Sequence, residues 1–242
     1  MRRRDLLGLP VAVAGSVTLT ACGAAGVVRA GGASPSQAPA TPTPGEQEEA
    51  PVTPPEDLMR EHGVLKRILL IYREGIRRIG TGQQVPAQAL NASARIIRSF
   101  IEDYHERLEE KYVFPRLQQA GKLTDIVPVL LLQHQRGRVL TSRLLTATGA
   151  TATPDKRARQ AMVASMASFI RMYEPHEARE DTVVFPVFRD VVPAKEFLEL
   201  AETFEEEERR RFARGFTGVV DQVAEIEKTL GIYNLAQFTP KV

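Results

Sequence analysis

His105-Glu106-Arg107-Leu108-Glu109-Glu110-Lys111-Tyr112-Val113-Phe114-Pro115 returns later in the chain as His176-Glu177-Ala178-Arg179-Glu180-Asp181-Thr182-Val183-Val184-Phe185-Pro186. The leading His-Glu, the glutamate four places after the histidine and the closing Val-Phe-Pro occupy the same positions in both copies, 71 residues apart. His62 and His134, which precede the two copies, lie 72 apart, so the chain carries an internal duplication. On a helix, residues four apart share a face with Cβ atoms about 5–6 Å from each other. Each His-x-x-x-Glu therefore presents two metal-ligating side chains together.

The helical reading extends outward from these motifs. Leu58, His62, Leu65, Leu69, Tyr72, Ile76 and Ile79 step by four and three, the pattern of an amphipathic helix with His62 in its apolar stripe. Pro54 and Pro55 suit its start, and Gly80-Thr81-Gly82 ends it. A second helix is expected over about 86–119, with Leu90, Ala94, Ile97, Ile101, His105, Leu108 and Tyr112 facing inward. After Gly121 a third carries Val127, Leu130, His134, Thr141 and Leu145 and stops in the Thr/Ala/Gly-rich stretch 146–153. The fourth begins near Asp155 and aligns Met162, Met166, Phe169, Tyr173, His176, Glu180 and Val187, with a kink expected at Pro175. Beyond Pro193, a stripe of Phe197, Ala201, Phe204 and Phe212 and a short helix around 219–230 should pack outside the other four, without chemistry of their own.

Composition agrees with an all-α chain. Trp is absent, and Ala, Leu, Glu and Arg dominate the last three-quarters of the 242 residues. The formal charge of +2 comes from the first stretch, because Arg2, Arg3, Arg4 and Asp5 carry all of the charge in residues 1–21. A neutral remainder offers no electrostatic case for binding nucleic acid. Residues 1–21 read as an export signal, basic at the start and apolar from Leu6 to Leu19. Arg3-Arg4-Asp5-Leu6-Leu7 resembles the twin-arginine signal, and Leu19-Thr20-Ala21-Cys22 resembles a bacterial lipoprotein cleavage box. These resemblances imply export and a membrane anchor on lipidated Cys22, at the periplasmic or cell-surface side of a bacterial envelope. Cys22 is the only cysteine, so no intrachain disulfide forms and no thiolate remains for a metal. Residues 22–55, rich in Ala, Gly, Pro, Ser and Thr, read as a disordered tether. The expected organisation is thus a signal at 1–21, a linker at 22–55, a bundle at 56–190 and a helical extension at 191–242.

The four histidines are the only ones in the chain, one on each of four successive expected helices, each within an apolar stripe. Two bring a glutamate onto the same face. Burying two carboxylates without partners would cost several kcal/mol each, whereas cations would offset them. Four imidazoles and two carboxylates, with no sulfur, suit iron, manganese or zinc, and carboxylates able to bridge favour a pair of ions. Glu106 and Glu177, one place from the histidines, are expected on the solvent side.

The order His, His-x-x-x-Glu, His, His-x-x-x-Glu over about residues 56–190 resembles the hemerythrin-like, or HHE cation-binding, family. The resemblance implies an antiparallel four-helix bundle around a non-haem di-iron centre, with additional C-terminal helices here. Carried over by motif, His62, His105, His134 and His176 would be terminal ligands of two iron ions, and Glu109 and Glu180 would bridge them. Oxygen carriers of the family have a further histidine one turn after the third-helix histidine, where this chain has Arg138. They also use an aspartate five residues after the last histidine, which leaves Asp181 as an alternative to Glu180. Tyr173, one turn before His176, could stand in for the missing ligand. The expected function is reaction with or sensing of dioxygen, peroxide or nitric oxide, with iron donation for cluster repair as one form of it. The alternatives are reversible oxygen storage and a structural metal-binding lipoprotein.

Overall fold

The computed structural model describes residues 52–149 and 155–242. The signal, Cys22 and nearly all of the tether lie outside the described residues. Helix α1 spans Pro54–Gly80. It starts two residues before the expected boundary because Thr53 and Glu56 form a reciprocal cap. The Thr53 hydroxyl accepts from the Glu56 amide at 3.4 Å, and the Glu56 carboxylate accepts from the Thr53 amide at 3.5 Å. Helix α2 covers residues 87–119, α3 covers Val127–Gly149 and α4 covers residues 156–191. Short connections after α1 and α2 turn the chain back on itself, and α1 packs on α4, α2 on α3 and α3 on α4. This closes a four-helix bundle, and there is no strand among the described residues.

The duplication reaches the backbone. In α2 the segment Glu109–Val113 is π-helical, and in α4 so is Glu180–Val184. Each is closed by a bond five residues long, from the Phe114 amide to the Glu109 carbonyl and from the Phe185 amide to the Glu180 carbonyl. The next residue is Pro115 or Pro186, which has no amide proton and whose ring crowds the carbonyl four places back. The wider turn accommodates that ring and rotates the residues after it about the helix axis. Val184 and Phe188 are therefore buried where an uninterrupted α-helical period places Val187, which is only partly covered. On α3 the buried position is Leu144 rather than the expected Leu145. Helix α4 continues through Pro175.

Helices α5, Ala194–Arg211, and α6, Gly215–Thr229, cover the face made by α1 and α2. Phe212 sits edge-on to Phe100 and Tyr104 at ring distances of 5.3 and 5.4 Å, and Phe204 lies 5.7 Å from Tyr112. Arg67 on α1 donates two bonds to Glu227 on α6, at 2.9 and 2.6 Å. Aromatic burial of this kind contributes roughly 1.5–3 kcal/mol per side chain. No helix among the described residues is long and apolar enough to cross a membrane.

Candidate metal centre

All six residues singled out in the sequence meet inside the bundle, and each is at most 3% exposed. His62 and His105 lie with ring centroids 4.7 Å apart, and His134 and His176 lie 5.0 Å apart. Ligating atoms of His62, His105 and Glu109 come within 4.8 Å of one another, as do those of His134, His176 and Glu180. The glutamates cross between the two groups. Glu109 Oε2 is 3.6 Å from His105 Nε2 and 3.5 Å from His134 Nε2. Glu180 Oε2 is 3.4 Å from His62 Nε2 and 3.1 Å from His176 Nε2. Each carboxylate thus faces one histidine of each pair.

The outward nitrogens of the imidazoles are all engaged. His62 Nδ1 meets Asp181 Oδ1 at 2.7 Å, and His105 Nδ1 meets Glu61 Oε2 at 2.7 Å. His134 Nδ1 meets Glu110 Oε1 at 3.2 Å, and His176 Nδ1 meets Gln133 Oε1 at 2.9 Å. Every partner offers an oxygen that can accept from Nδ1, an arrangement that leaves each Nε2 facing inward as a potential ligand. His134 Nε2 and His176 Nε2 face each other at 3.3 Å. All four carboxylate oxygens of Glu109 and Glu180 are buried and lack a hydrogen-bond partner among the described residues. Inward-facing Nε2 atoms and orphaned carboxylate oxygens fit cations and nothing else that a bundle core provides.

The ionisable groups of the site pull against one another. Burial, reinforced by the Glu180 charge, raises the Glu109 carboxyl well above its ordinary range. Burial would raise Glu180 too, but His176 and His62 pull it well below. Burial opposes a charge on His62, yet Asp181 and Glu180 outweigh it and lift its pKa to about 9. Burial, with His62 beside it, keeps His105 well below the usual histidine value, and burial lowers His134 to about 4. Protons and carboxylates thus compete at positions that cations would satisfy.

The chain matches the hemerythrin HHE cation-binding domain over residues 53–186. It belongs to that family. A hemerythrin-like domain therefore occupies more than half of this chain, and α5 and α6 lie beyond it. Among curated proteins, an uncharacterized protein of Mycobacterium tuberculosis and one of Mycobacterium bovis are each 61% identical to it over 239 residues, covering 98% of this chain and 91% of theirs. No solved structure matches.

The hemerythrin-like site extends beyond the six residues. Asp181 lies on the outer side of His62, whereas Glu180 faces the interior, so the geometry separates the two candidates of the sequence reading. Glu106 and Glu177 are not on the solvent side as expected; they are 1% and 3% exposed. Glu106 is held by Arg138 at 2.7 Å and by the Tyr173 hydroxyl, which donates to it at 2.6 Å. Glu177 is held by Lys66 at 3.3 Å. A wide bundle face, not a narrow stripe, accounts for their burial. Tyr173 is thus turned to Glu106, and Arg138 is tied to Glu106 and Glu110; against the effect of burial, the bonds from His134 and Arg138 lower the Glu110 pKa to about 2. Tyr173 fits against α3 only because position 137 is glycine, where an added Cβ would stand 2.0 Å from the tyrosine oxygen. Glu61, Lys66, Glu110 and Gln133 were not singled out in the sequence, although the repeat spacing pairs Glu61 with Gln133, Lys66 with Arg138, Glu106 with Glu177 and Glu110 with Asp181.

Proposed function

We propose that His62, His105, His134 and His176, with Glu109 and Glu180 shared between them, hold two iron ions, and that the centre reacts with or senses dioxygen, peroxide or nitric oxide. The observation that carries this reading is the crossing of the two glutamates, each facing the Nε2 of a histidine from either pair. Bound ions would supply redox chemistry and, with only six protein side chains for two of them, coordination positions open to small ligands. The chain's own residues do the rest: the Nδ1 bonds fix ring orientation and raise imidazole basicity, and the buried walls limit access to small molecules.

Oxygen storage is the weaker reading. The place of the extra histidine is filled by Arg138, a cation without a lone pair to give, and Tyr173 donates its hydroxyl to Glu106. Export and anchoring through lipidated Cys22 are part of the same proposal and rest on Arg3-Arg4 and on Leu19-Thr20-Ala21-Cys22.

Anaerobic reconstitution with ferrous iron, followed by metal analysis and optical spectra before and after oxygen, peroxide or nitric oxide, tests the reading. About two irons per chain and a spectrum that changes with the added molecule are expected. A spectrum blind to all three would mark a metal that only braces the bundle, and a stable, reversible oxygen-dependent band would restore storage.

A further inference from the structure

A second group of oxygen ligands lies beside the histidine centre. Asp57 and Glu61 on α1 and Glu208 on α5 each place a carboxylate oxygen within 4.8 Å of the other two. Glu61 is fully buried, and Asp57 and Glu208 are partly exposed, so the three run from solvent toward the interior. Arg60 is 3.4 Å from Asp57, and Glu208 Oε1 accepts from the Phe216 amide at 2.9 Å. Three carboxyl groups share one guanidinium. Two further polar atoms, on side chains that approach each other, lack a well-formed hydrogen bond. Glu61 gives Oε2 to His105, while its Oε1 is buried without a partner among the described residues. The Tyr104 hydroxyl, in a side chain 1% exposed, lies against the same three carboxylates, nearest Glu61, and likewise forms no well-aligned bond among the described residues.

We propose that Asp57, Glu61 and Glu208, with the Tyr104 hydroxyl, form a separate oxygen-only site for a divalent cation, joined to the histidine centre by the shared Glu61 carboxylate. Carboxylate and hydroxyl oxygens without nitrogen or sulfur select hard ions such as Ca²⁺, Mg²⁺, Mn²⁺ or Fe²⁺. One ion would offset the charge of the carboxylates and take Glu61 Oε1 and the Tyr104 hydroxyl, which make only a poorly aligned contact with each other, as ligands. The site is one-sided. By the repeat spacing the counterparts of Asp57 and Glu61 are Val129 and Gln133, and Glu208 comes from α5, beyond the matched domain. The C-terminal helices thus have a chemical role that the sequence reading denied them. The order from Asp57 and Glu208 through Glu61 to His105 is also a path by which an ion could pass inward from solvent.

Mn²⁺ titration of the full chain, read by the electron paramagnetic resonance of unbound Mn²⁺, tests this. Glu208→Gln keeps an oxygen for the Phe216 amide, and Asp57→Asn is the second variant; helical circular dichroism verifies both folds. Each should weaken one Mn²⁺ per chain at least tenfold relative to the unaltered chain, and added Ca²⁺ should displace that ion alone. Equal stoichiometry and affinity in all three proteins would overturn the proposal, as would Ca²⁺ displacing nothing. If His134→Ala leaves Mn²⁺ binding unchanged while Glu208→Gln removes one ion, the oxygen site stands and the reading of the histidine centre fails.

Discussion

The two halves of the metal centre share a design and differ in charge. On one side His62 and His105 lean on Asp181 and Glu61, two carboxylates at 2.7 Å each. On the other, His134 leans on Glu110 at 3.2 Å and His176 on the neutral amide of Gln133 at 2.9 Å. Glu110 is moreover claimed by Arg138, which sits 20% exposed, whereas the matching Lys66 is 51% exposed and 3.8 Å from Asp181. A duplicated sequence has therefore kept the inward ligand set nearly symmetric while letting the outward supports diverge. A more anionic outer partner makes an imidazole a stronger donor. The His62 and His105 side is expected to hold its ion more tightly.

The largest effect should come from breaking what the halves share. Glu109→Ala or Glu180→Ala removes a carboxylate that faces a histidine of each pair, so both ions should be lost together, and iron per chain should fall from about two toward zero. Loss of only one ion, measured by elemental analysis, would show that the glutamates serve separate halves.

Packing behind the two halves gives the next contrast. Leu65 and Gly137 occupy matching positions of the repeat, yet one is a buried leucine and the other leaves room for Tyr173. Leu65→Ala should cost about 2–5 kcal/mol by opening a cavity. Gly137→Ala should cost about 1–3 kcal/mol by overpacking, because its Cβ meets the Tyr173 ring and hydroxyl. Urea denaturation of the metal-free proteins measures both. A Gly137→Ala protein as stable as its parent would mean that Tyr173 can move away at no cost, and that its bond to Glu106 matters little.

Exchanging the outer partners should level the halves. Glu61→Gln is expected to weaken the tighter metal-binding step by roughly 10–100-fold, and Gln133→Glu to strengthen the weaker one. Two resolved steps in a metal titration should draw together in either variant. If the steps in the parent protein are already equal, the difference in outer charge has no consequence for affinity.

How far these differences were legible in the sequence depends on their physical origin. Helical periodicity placed the four helices, because an apolar stripe at a period of 3.6 is a property of the chain alone. The His-x-x-x-Glu spacing likewise brought His105 with Glu109 and His176 with Glu180, since four residues make about one turn. The burial of Val184 rather than Val187 was not visible, because it results from a π-helical turn before Pro186 that interrupts the period. Glu61 and Gln133 looked like ordinary helix residues. Their roles exist only across helices, where Glu61 reaches His105 on α2 and Gln133 reaches His176 on α4. Glu208 lies in a C-terminal helix to which the sequence assigns no chemistry, and only the docking of α5 onto α1 brings it to Asp57.

The smallest expected effect belongs to Asp57, which has no ionisable counterpart in the other half, since Val129 stands in its place. Burial, with the Glu61 charge beside it and against the pull of Arg60, raises the Asp57 pKa from 3.8 to about 7. In the metal-free protein the folded state therefore holds this proton over a pH range in which the unfolded chain has released it. Stability linked to Asp57 is fully present below pH 3.8 and falls as pH rises toward about 7, beyond which both states are ionised and the slope ends. Asp57→Asn, which cannot ionise, should flatten that part of the stability profile, whereas Val129→Ala on the other side should leave its slope unchanged. Urea midpoints at several pH values in the presence of chelator would show it. Adding Ca²⁺ should flatten the profile of the parent protein in the same way, because an ion at Asp57 replaces the proton. A slope that survives Asp57→Asn would place its source elsewhere, with Glu61, whose pKa burial raises to about 8, as the next group to change.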